Sequence, residues 1–126
     1  MNTYRTIFRS VRVALTATLL LALVPSVVSE LAARAIVLEC CPTSNVVLGV
    51  YPSYEEHPLP ALRAAGVRVT LGSDDPPYFG ATIAGEYNVC AERFGFDDDE
   101  LREITRTAID AAFCDEELRA ALLTRV

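Results

Sequence analysis

The 126-residue sequence contains no lysine and only one histidine, His57. Its four cysteines are Cys40, Cys41, Cys90 and Cys114, and no two of them form a C-x-x-C pair. These counts argue against a structural zinc site built from cysteine and histidine. Neighbouring residues of a strand point to opposite faces, so Cys40 and Cys41 are not expected to bridge each other. We interpret the four thiols as small, buried or half-buried groups.

Charge is divided unevenly along the chain. Residues 1–29 contain three arginines and no acidic residue, whereas the sequence from Glu30 onward has eight arginines against 17 acidic residues. The second part therefore has a net charge of −9, and the three leading arginines bring the total to −6. Because phosphate contacts need clustered basic side chains, this acidic body predicts that nucleic acid is not a partner.

Residues 1–30 have the features of a hydrophobic leader. The arginines Arg5, Arg9 and Arg12 precede the apolar run 13–24, which is followed by Pro25 and by small residues up to Ser29. This order is typical of an export signal, and the apolar run is too short to cross a bilayer comfortably as a helix. The alternative is a mis-assigned start or out-of-frame sequence. A working signal would make the protein secreted or membrane-associated, with membrane contact only through residues 1–30.

Residues 31–126 begin with a predicted βα repeat. A β-branched apolar run at residues 36–38 predicts a buried parallel strand, and residues 42–60 contain proline breakers typical of a loop. Residues 59–65 predict a short helix that ends at Gly66. A second strand is predicted where Val67, Val69 and Leu71 alternate with polar residues. The order strand, loop, helix, strand indicates an α/β fold.

The sequence after a predicted loop at residues 74–80 is helical in pattern. Residues 82–93 form one candidate helix. Asp97 with Glu100 predicts a capping box at the start of the next helix, whose apolar stripe consists of Leu101, Ile104, Ala108 and Ala111. Asp115 predicts the cap of a last helix. The acidic run 97–100 is therefore interpreted as helix capping and not as a metal site.

Asp74 and Asp75 are the candidate functional residues. They follow the second predicted strand directly, in a loop restricted by Gly72, Pro76 and Pro77. In a barrel this position is the carboxyl-terminal rim, where active sites are built. One carboxylate of such a pair can bind a metal while its neighbour faces a ligand. A solvated Asp-Asp-Pro turn explains the same residues equally simply.

Several ordered blocks of the sequence resemble a known family. The sequence is similar to the end of the adenosine and adenine deaminases, which are zinc-dependent aminohydrolases, in five blocks: residues 38–45, 57–59, 70–76, 78–80 and 85–87. The resemblance covers residues 31–126. It implies the C-terminal portion of a (β/α)8 TIM barrel, namely its last two strands and terminal helices. A complete barrel needs about 250 residues, so the fold is expected to be incomplete.

The resemblance also implies a chemistry. In the family a zinc ion activates a water that attacks C6 of the purine, which converts adenosine to inosine and ammonia. Asp74 corresponds to a zinc ligand, and Asp75 to the residue that accepts a hydrogen bond from the purine ring at N7. The substrate implied is a purine nucleoside, with adenine or another aminated purine left open. A cytoplasmic location is usual for the family.

The sequence departs from the family in its other catalytic residues. It has no His-x-His pair, no later histidine ligand and no His-Ala-Gly-Glu block, and His57 matches a loop histidine that we interpret as structural. The catalytic residues are thus absent apart from the aspartate pair. This chain alone is expected neither to hold zinc tightly nor to deaminate a purine. The alternatives are an exported or membrane-associated non-enzymatic protein derived from the same fold, and a fragment that complements a separate N-terminal barrel part.

Overall fold

A computed structural model describes residues 25–126 of the chain. The apolar run predicted as the core of a leader lies outside these residues. The first described element, helix α1, extends from Pro25 to Ala33 and so includes the boundary predicted at residue 30. No helix between residues 25 and 126 has both the length and the apolar character needed to cross a membrane.

Two strands and seven helices make up the described part. The strands are β1 (Val37–Cys40) and β2 (Arg68–Leu71). The helices that follow α1 are α2 (Pro42–Val47), α3 (Leu59–Ala64), α4 (Pro76–Phe79), α5 (Ile83–Phe94), α6 (Asp98–Ala111) and α7 (Glu116–Leu123). The order β1, α2, α3, β2 contains the predicted βα repeat.

The two strands pair in parallel, with Val37 opposite Arg68 and Cys40 opposite Leu71. Side chains alternate between the two faces of a strand. Leu38 and Cys40 pack against the hydrophobic core, whereas Glu39 between them is exposed. The alternation predicted for the second strand is confirmed, because Val67, Val69 and Leu71 are buried and the two residues between them are only half-buried.

The hydrophobic core lies between the inner face of the sheet and helices α3, α5 and α6. It consists of eight buried residues: Leu59, Leu62, Val67, Val69, Leu71, Cys90, Phe96 and Ile104. Ile104 of α6 is only 1% exposed, and α6 packs along β2. This arrangement fixes the end of β2, where the predicted functional residues begin.

Helix ends follow the sequence closely. Asp97 and Glu100 form the predicted capping box, in which each side chain accepts the other residue's backbone N–H. Asp115 caps α7 by accepting from the backbone N–H of Leu118 at 2.8 Å. Gly66, which follows α3, has φ +81°. Glycine adopts this left-handed conformation without the clash that a Cβ would cause, so the predicted helix end is confirmed.

Two short helices occupy segments that were predicted to be loops. Helix α2 lies in the proline-rich segment 42–60, and α4 lies in the segment 74–80. Both begin at a proline, Pro42 or Pro76. The first turn of a helix leaves its N–H groups unpaired, so a proline loses nothing there and its fixed φ suits the helix. Both prolines were predicted to lie in loops, but here they start helices. The stripe predicted for α6 is also too long, since Ala111 is exposed.

Within residues 25–126 each strand has a neighbour on only one side, because the sheet consists of β1 and β2 alone. Large apolar side chains are also exposed, including Tyr78 at 81% and Phe113, which is fully exposed. Parallel sheets normally have neighbours and are covered on both faces. The described part of the chain therefore has exposed sheet edges and exposed apolar surface, as an incomplete barrel would.

Candidate functional site at the carboxyl ends of the strands

The candidate site lies where β1 and β2 end. Residues 39–41 lie at the carboxyl end of β1, and residues 72–75 directly follow β2. The parallel pairing of the two strands holds these segments side by side. The backbone N–H of Gly72 continues this pairing by donating to the carbonyl of Cys40 at 2.9 Å. The sheet thereby brings residues that are about thirty positions apart to one rim.

Asp74 and Asp75 both have exposed side chains at this rim, but their backbones differ. Asp74 has φ +56°, in the left-handed region that residues with a Cβ enter at a cost of about 1 kcal/mol. Asp75 is extended, and its carbonyl accepts from the backbone N–H of Tyr78 at 3.0 Å as α4 begins. The structure therefore places the two predicted site residues next to each other at the rim, with their carboxylates open to solvent.

Gly72 leaves room for two side chains from the end of β1. A Cβ on Gly72 would lie 2.5 Å from Oε1 of Glu39 and 3.2 Å from Sγ of Cys41. Glu39 and Cys41 therefore lie directly over the backbone that leads to the aspartate pair.

The two adjacent cysteines have separate surroundings, as their alternation on the strand predicts. Cys40 faces the core, and its burial, with Cys41 and Glu39 nearby, raises its pKa to about 11. Burial also raises the pKa of Cys41, and the negative charge of Asp74 acts in the same direction. A thiolate is the nucleophilic form of cysteine. Both cysteines are therefore held as thiols near neutral pH, and neither is an activated nucleophile.

Glu86 contacts the segment that follows β1. This residue of α5 is fully buried, and its Oε2 accepts from the backbone N–H of Thr43 at 3.1 Å. Its Oε1 is buried without a hydrogen-bond partner among the described residues. Glu86 lies in the family-like block 85–87, but no role was predicted for it. The sequence did contain a signal for its burial. Glu86 lies four residues before Cys90, on the same side of α5, and Cys90 is a core residue.

His57, in the connection between β1 and β2, makes structural contacts. Its Nδ1 accepts from the backbone N–H of Leu59 at 3.2 Å, and its Nε2 lies 3.0 Å from Oδ1 of Asn45. Because Nδ1 accepts, the proton of the neutral ring is on Nε2 and is donated to Asn45. The ring also stacks on Phe94 with centroids 5.6 Å apart. Burial lowers the pKa of His57 to about 4, so the ring is neutral at pH 7.

The described residues do not form a catalytic zinc site by themselves. No group of three or more histidine, cysteine, aspartate or glutamate side chains between residues 25 and 126 is arranged to hold a metal ion. Catalytic zinc takes about three protein ligands and a water. His57 is committed to Asn45 and Leu59, which leaves Asp74 as the one predicted ligand. The donor set does not fit zinc, and no catalytic step is assigned to the chain on its own.

A cavity of about 250 Å³ lies at the other end of β2, away from the aspartate pair. It is lined in part by Arg63, Arg68 and Glu103. Arg63 pairs with Glu103 at 2.8 Å and with Glu100 at 3.2 Å, while Arg68 pairs with Asp110 at 3.0 Å. Since both guanidinium groups already face carboxylates, this cavity is not an anion site.

The sequence pattern of the adenosine deaminase family matches residues 23–126. Over 102 residues the chain is 53% identical to an adenine deaminase from Mesorhizobium japonicum. This match covers 81% of the chain and 32% of the relative, so the chain spans about a third of the length of the curated relative.

Solved structures agree with this likeness. A crystal structure of an adenine deaminase from Arthrobacter aurescens superposes with a TM-score of 0.76 at 32% identity, over 79% of this chain and 30% of that one. An amidohydrolase from Burkholderia ambifaria, crystallised with bound zinc, superposes with a TM-score of 0.68 at 26% identity, over 78% and 28% of the two chains. The α/β fold therefore matches part of a TIM-barrel amidohydrolase, and the chain belongs to the adenosine deaminase family.

Proposed function

We propose, from its membership of the adenosine deaminase family, that this chain contributes the last part of a barrel that removes the C6 amino group of a purine by zinc-dependent hydrolysis. Asp74 is the metal ligand of this proposal, and Asp75 is the residue that contacts the purine. The observation that carries the proposal is the position of the two carboxylates. They follow β2 directly, at the rim where barrel enzymes bind their substrates, and both are open to solvent.

The free base adenine is the substrate we propose in place of the nucleoside expected from the sequence. A carboxylate only accepts hydrogen bonds. In adenosine N7 has no hydrogen, because the ribose occupies N9, whereas adenine has one N–H on its five-membered ring and can present it at N7. Asp75 as an acceptor of a hydrogen bond from N7 therefore suits adenine. The relatives from Mesorhizobium and Arthrobacter, both called adenine deaminases, point to the same substrate.

The partner we propose is the rest of the barrel, in this polypeptide or in another. The matched relatives continue for about two-thirds of their length outside the shared region. The free edges of β1 and β2 are the surfaces on which further parallel strands would pair. The additional metal ligands and the proton-transferring residues would come from that part.

The first experiment uses the purified chain alone. It is incubated with zinc and either adenine or adenosine, and the release of ammonia is measured. We expect no release above the rate in buffer, because one carboxylate ligand does not hold catalytic zinc. Turnover of either purine would contradict the inactive state of the isolated chain.

The second experiment restores the missing part. The chain is co-expressed with the segment of the Mesorhizobium relative that precedes the shared region, and the complex is assayed for bound zinc and for adenine deamination. Asp74→Ala is expected to lower both zinc content and activity. Asp75→Ala is expected to keep the zinc and to raise the KM for adenine. Asp98→Ala, an exposed carboxylate at the start of α6, is the matched control.

Three outcomes of the second experiment would contradict the proposal. Zinc that stays bound in the Asp74→Ala complex would show that Asp74 is not a metal ligand. Equal effects of Asp75→Ala on adenine and on 9-methyladenine, which has no hydrogen available for N7, would remove the proposed contact. A complex that deaminates adenosine faster than adenine would restore the nucleoside as substrate.

Cellular location forms part of the proposal. We propose that the chain acts in the cytoplasm, where its family is usually found, and that purine is its ligand in preference to nucleic acid. Amino-terminal sequencing of the protein recovered from its own cells tests this. An amino terminus at residue 30 would show cleavage after Ser29 and would favour export instead.

A further inference from the structure

Glu39 lies on the face of the sheet away from the hydrophobic core. Side chains alternate along a strand, and its neighbours Leu38 and Cys40 both pack against the core. Glu39 therefore points to the opposite face, which we call the open face, and it is exposed there. It is the last residue of β1 on that face and lies opposite Thr70 of β2.

The Glu39 carboxylate lies beside the backbone that leads to the aspartate pair. A Cβ on Gly72 would be 2.5 Å from its Oε1 and 3.4 Å from its Cδ, so the absence of a side chain at Gly72 leaves room for it. In the described part of the chain the Glu39 carboxylate forms no hydrogen bond and no ion pair. Arg68, a cation that the alternation of β2 places on the open face, pairs instead with Asp110 at 3.0 Å.

The open face corresponds to the interior of a barrel. The helices of a TIM barrel lie outside its strands, and the side chains on the other face of the strands fill the inside as a packed core. The core of this chain lies between its helices and one face of the sheet, so the open face is the one that a complete barrel encloses. A carboxylate that is taken out of water without a partner is strongly destabilising. Glu39 therefore needs a hydrogen-bond donor that residues 25–126 do not supply.

We propose that Glu39 accepts a hydrogen bond from an N–H-bearing side chain of the rest of the barrel and so links the two parts beside the aspartate pair. A carboxylate only accepts hydrogen bonds, so its partner is a donor. The inference rests on the proposed function in one respect, namely that the rest of a barrel covers the open face. It assigns Glu39 no contact with metal or purine.

Binding between the full chain and the preceding segment of the Mesorhizobium relative tests the inference, in a calorimetric titration without zinc or purine. Glu39→Ala is expected to weaken this binding by about tenfold or more, the effect of leaving a donor without its charged acceptor. Glu39→Gln keeps an acceptor oxygen and is expected to recover part of the loss. Glu92→Ala, an exposed glutamate on α5, is the matched control.

Urea unfolding of Glu39→Ala alone separates folding from binding. The variant is expected to be as stable as the native chain, because the Glu39 carboxylate is exposed and unpaired there. A less stable variant would show that Glu39 already has a partner within the chain, which would overturn the inference.

The titration can also overturn it. Unchanged binding in Glu39→Ala would mean that the carboxylate stays solvated in the closed barrel, and tighter binding would mean that it is buried there without a donor. A loss of affinity that appears only when adenine is added would make the purine the donor and would overturn the side-chain partner. If the native chain does not bind the segment, the proposed barrel fails together with this inference. Binding that Glu39→Ala leaves unchanged contradicts this inference alone.

Discussion

Lowering the pH should destabilise the chain through His57. Its folded pKa is about 4, against an ordinary value of 6.5, because burial disfavours the charged ring. Its Nδ1 is also occupied by the Leu59 N–H, so protonation breaks that hydrogen bond. The unfolded chain binds the proton more readily than the folded chain. The stabilising effect of the neutral ring is complete above about pH 6.5 and is lost as the pH falls toward 4.

The size of this effect follows from the two pKa values. A difference of about 2.5 units corresponds to about 3 kcal/mol once the pH is below both values. At pH 5 the unfolded histidine is almost fully protonated and the folded one is not, which gives a loss of about 2 kcal/mol. His57 is 6% exposed, so solvent screening reduces the figure little.

The assay is urea unfolding followed by circular dichroism, at pH 7.5 and pH 5, for the native chain and for His57→Gln. Carboxylates that titrate over the same range contribute equally to both proteins and cancel in the comparison. The native chain is expected to lose about 2 kcal/mol more than the variant between the two pH values. A difference that stays the same at both pH values would show that His57 is solvated or already charged in the folded chain.

Two further predictions concern the core and the helix caps. Ile104→Ala should lower the free energy of unfolding by about 2–5 kcal/mol, because it leaves a cavity beside β2, whereas Ile83→Ala at a half-exposed site should change it by less than about 0.5 kcal/mol. Thermal melting compares them, and equal effects would contradict the packing described. Asp97→Ala should cost about 1 kcal/mol by removing the capping box of α6, with Asp98→Ala as the control. Urea unfolding measures this, and an effect no larger than that of the control would refute it.

Features determined by nearby residues were predictable from the sequence. The alternation around Val69 indicated a strand, and the Asp97–Glu100 pair indicated a helix start, because both patterns involve residues close together in the chain. The short helices at Pro42 and Pro76 were not predicted. A proline is typical both of a loop and of a first helical turn, and only the surrounding structure distinguishes the two.

The contacts of Glu86 and His57 could not be predicted from local sequence patterns, for a different reason. The bond between Glu86 and Thr43 and the bond between His57 and Asn45 join separate blocks of the sequence. Spacing identifies such blocks but does not show which of them meet. The left-handed backbone of Asp74 was likewise not predicted, since nothing in the sequence of this loop requires it.

The rest of a barrel is expected to affect the strand edges more than the rim. The pairing that brings the two segments of the rim together lies within residues 25–126, whereas β1 and β2 each have an unpaired edge there. Adding the N-terminal part of a relative should therefore stabilise the core without rearranging the rim. In hydrogen exchange, the Ile104 amide is expected to slow by more than about tenfold on complex formation, as for a partner that binds only the folded state. The chemical shift of the Asp74 amide should change little until zinc is added. A large shift at Asp74 before zinc would show instead that the rim takes its shape only when the barrel closes.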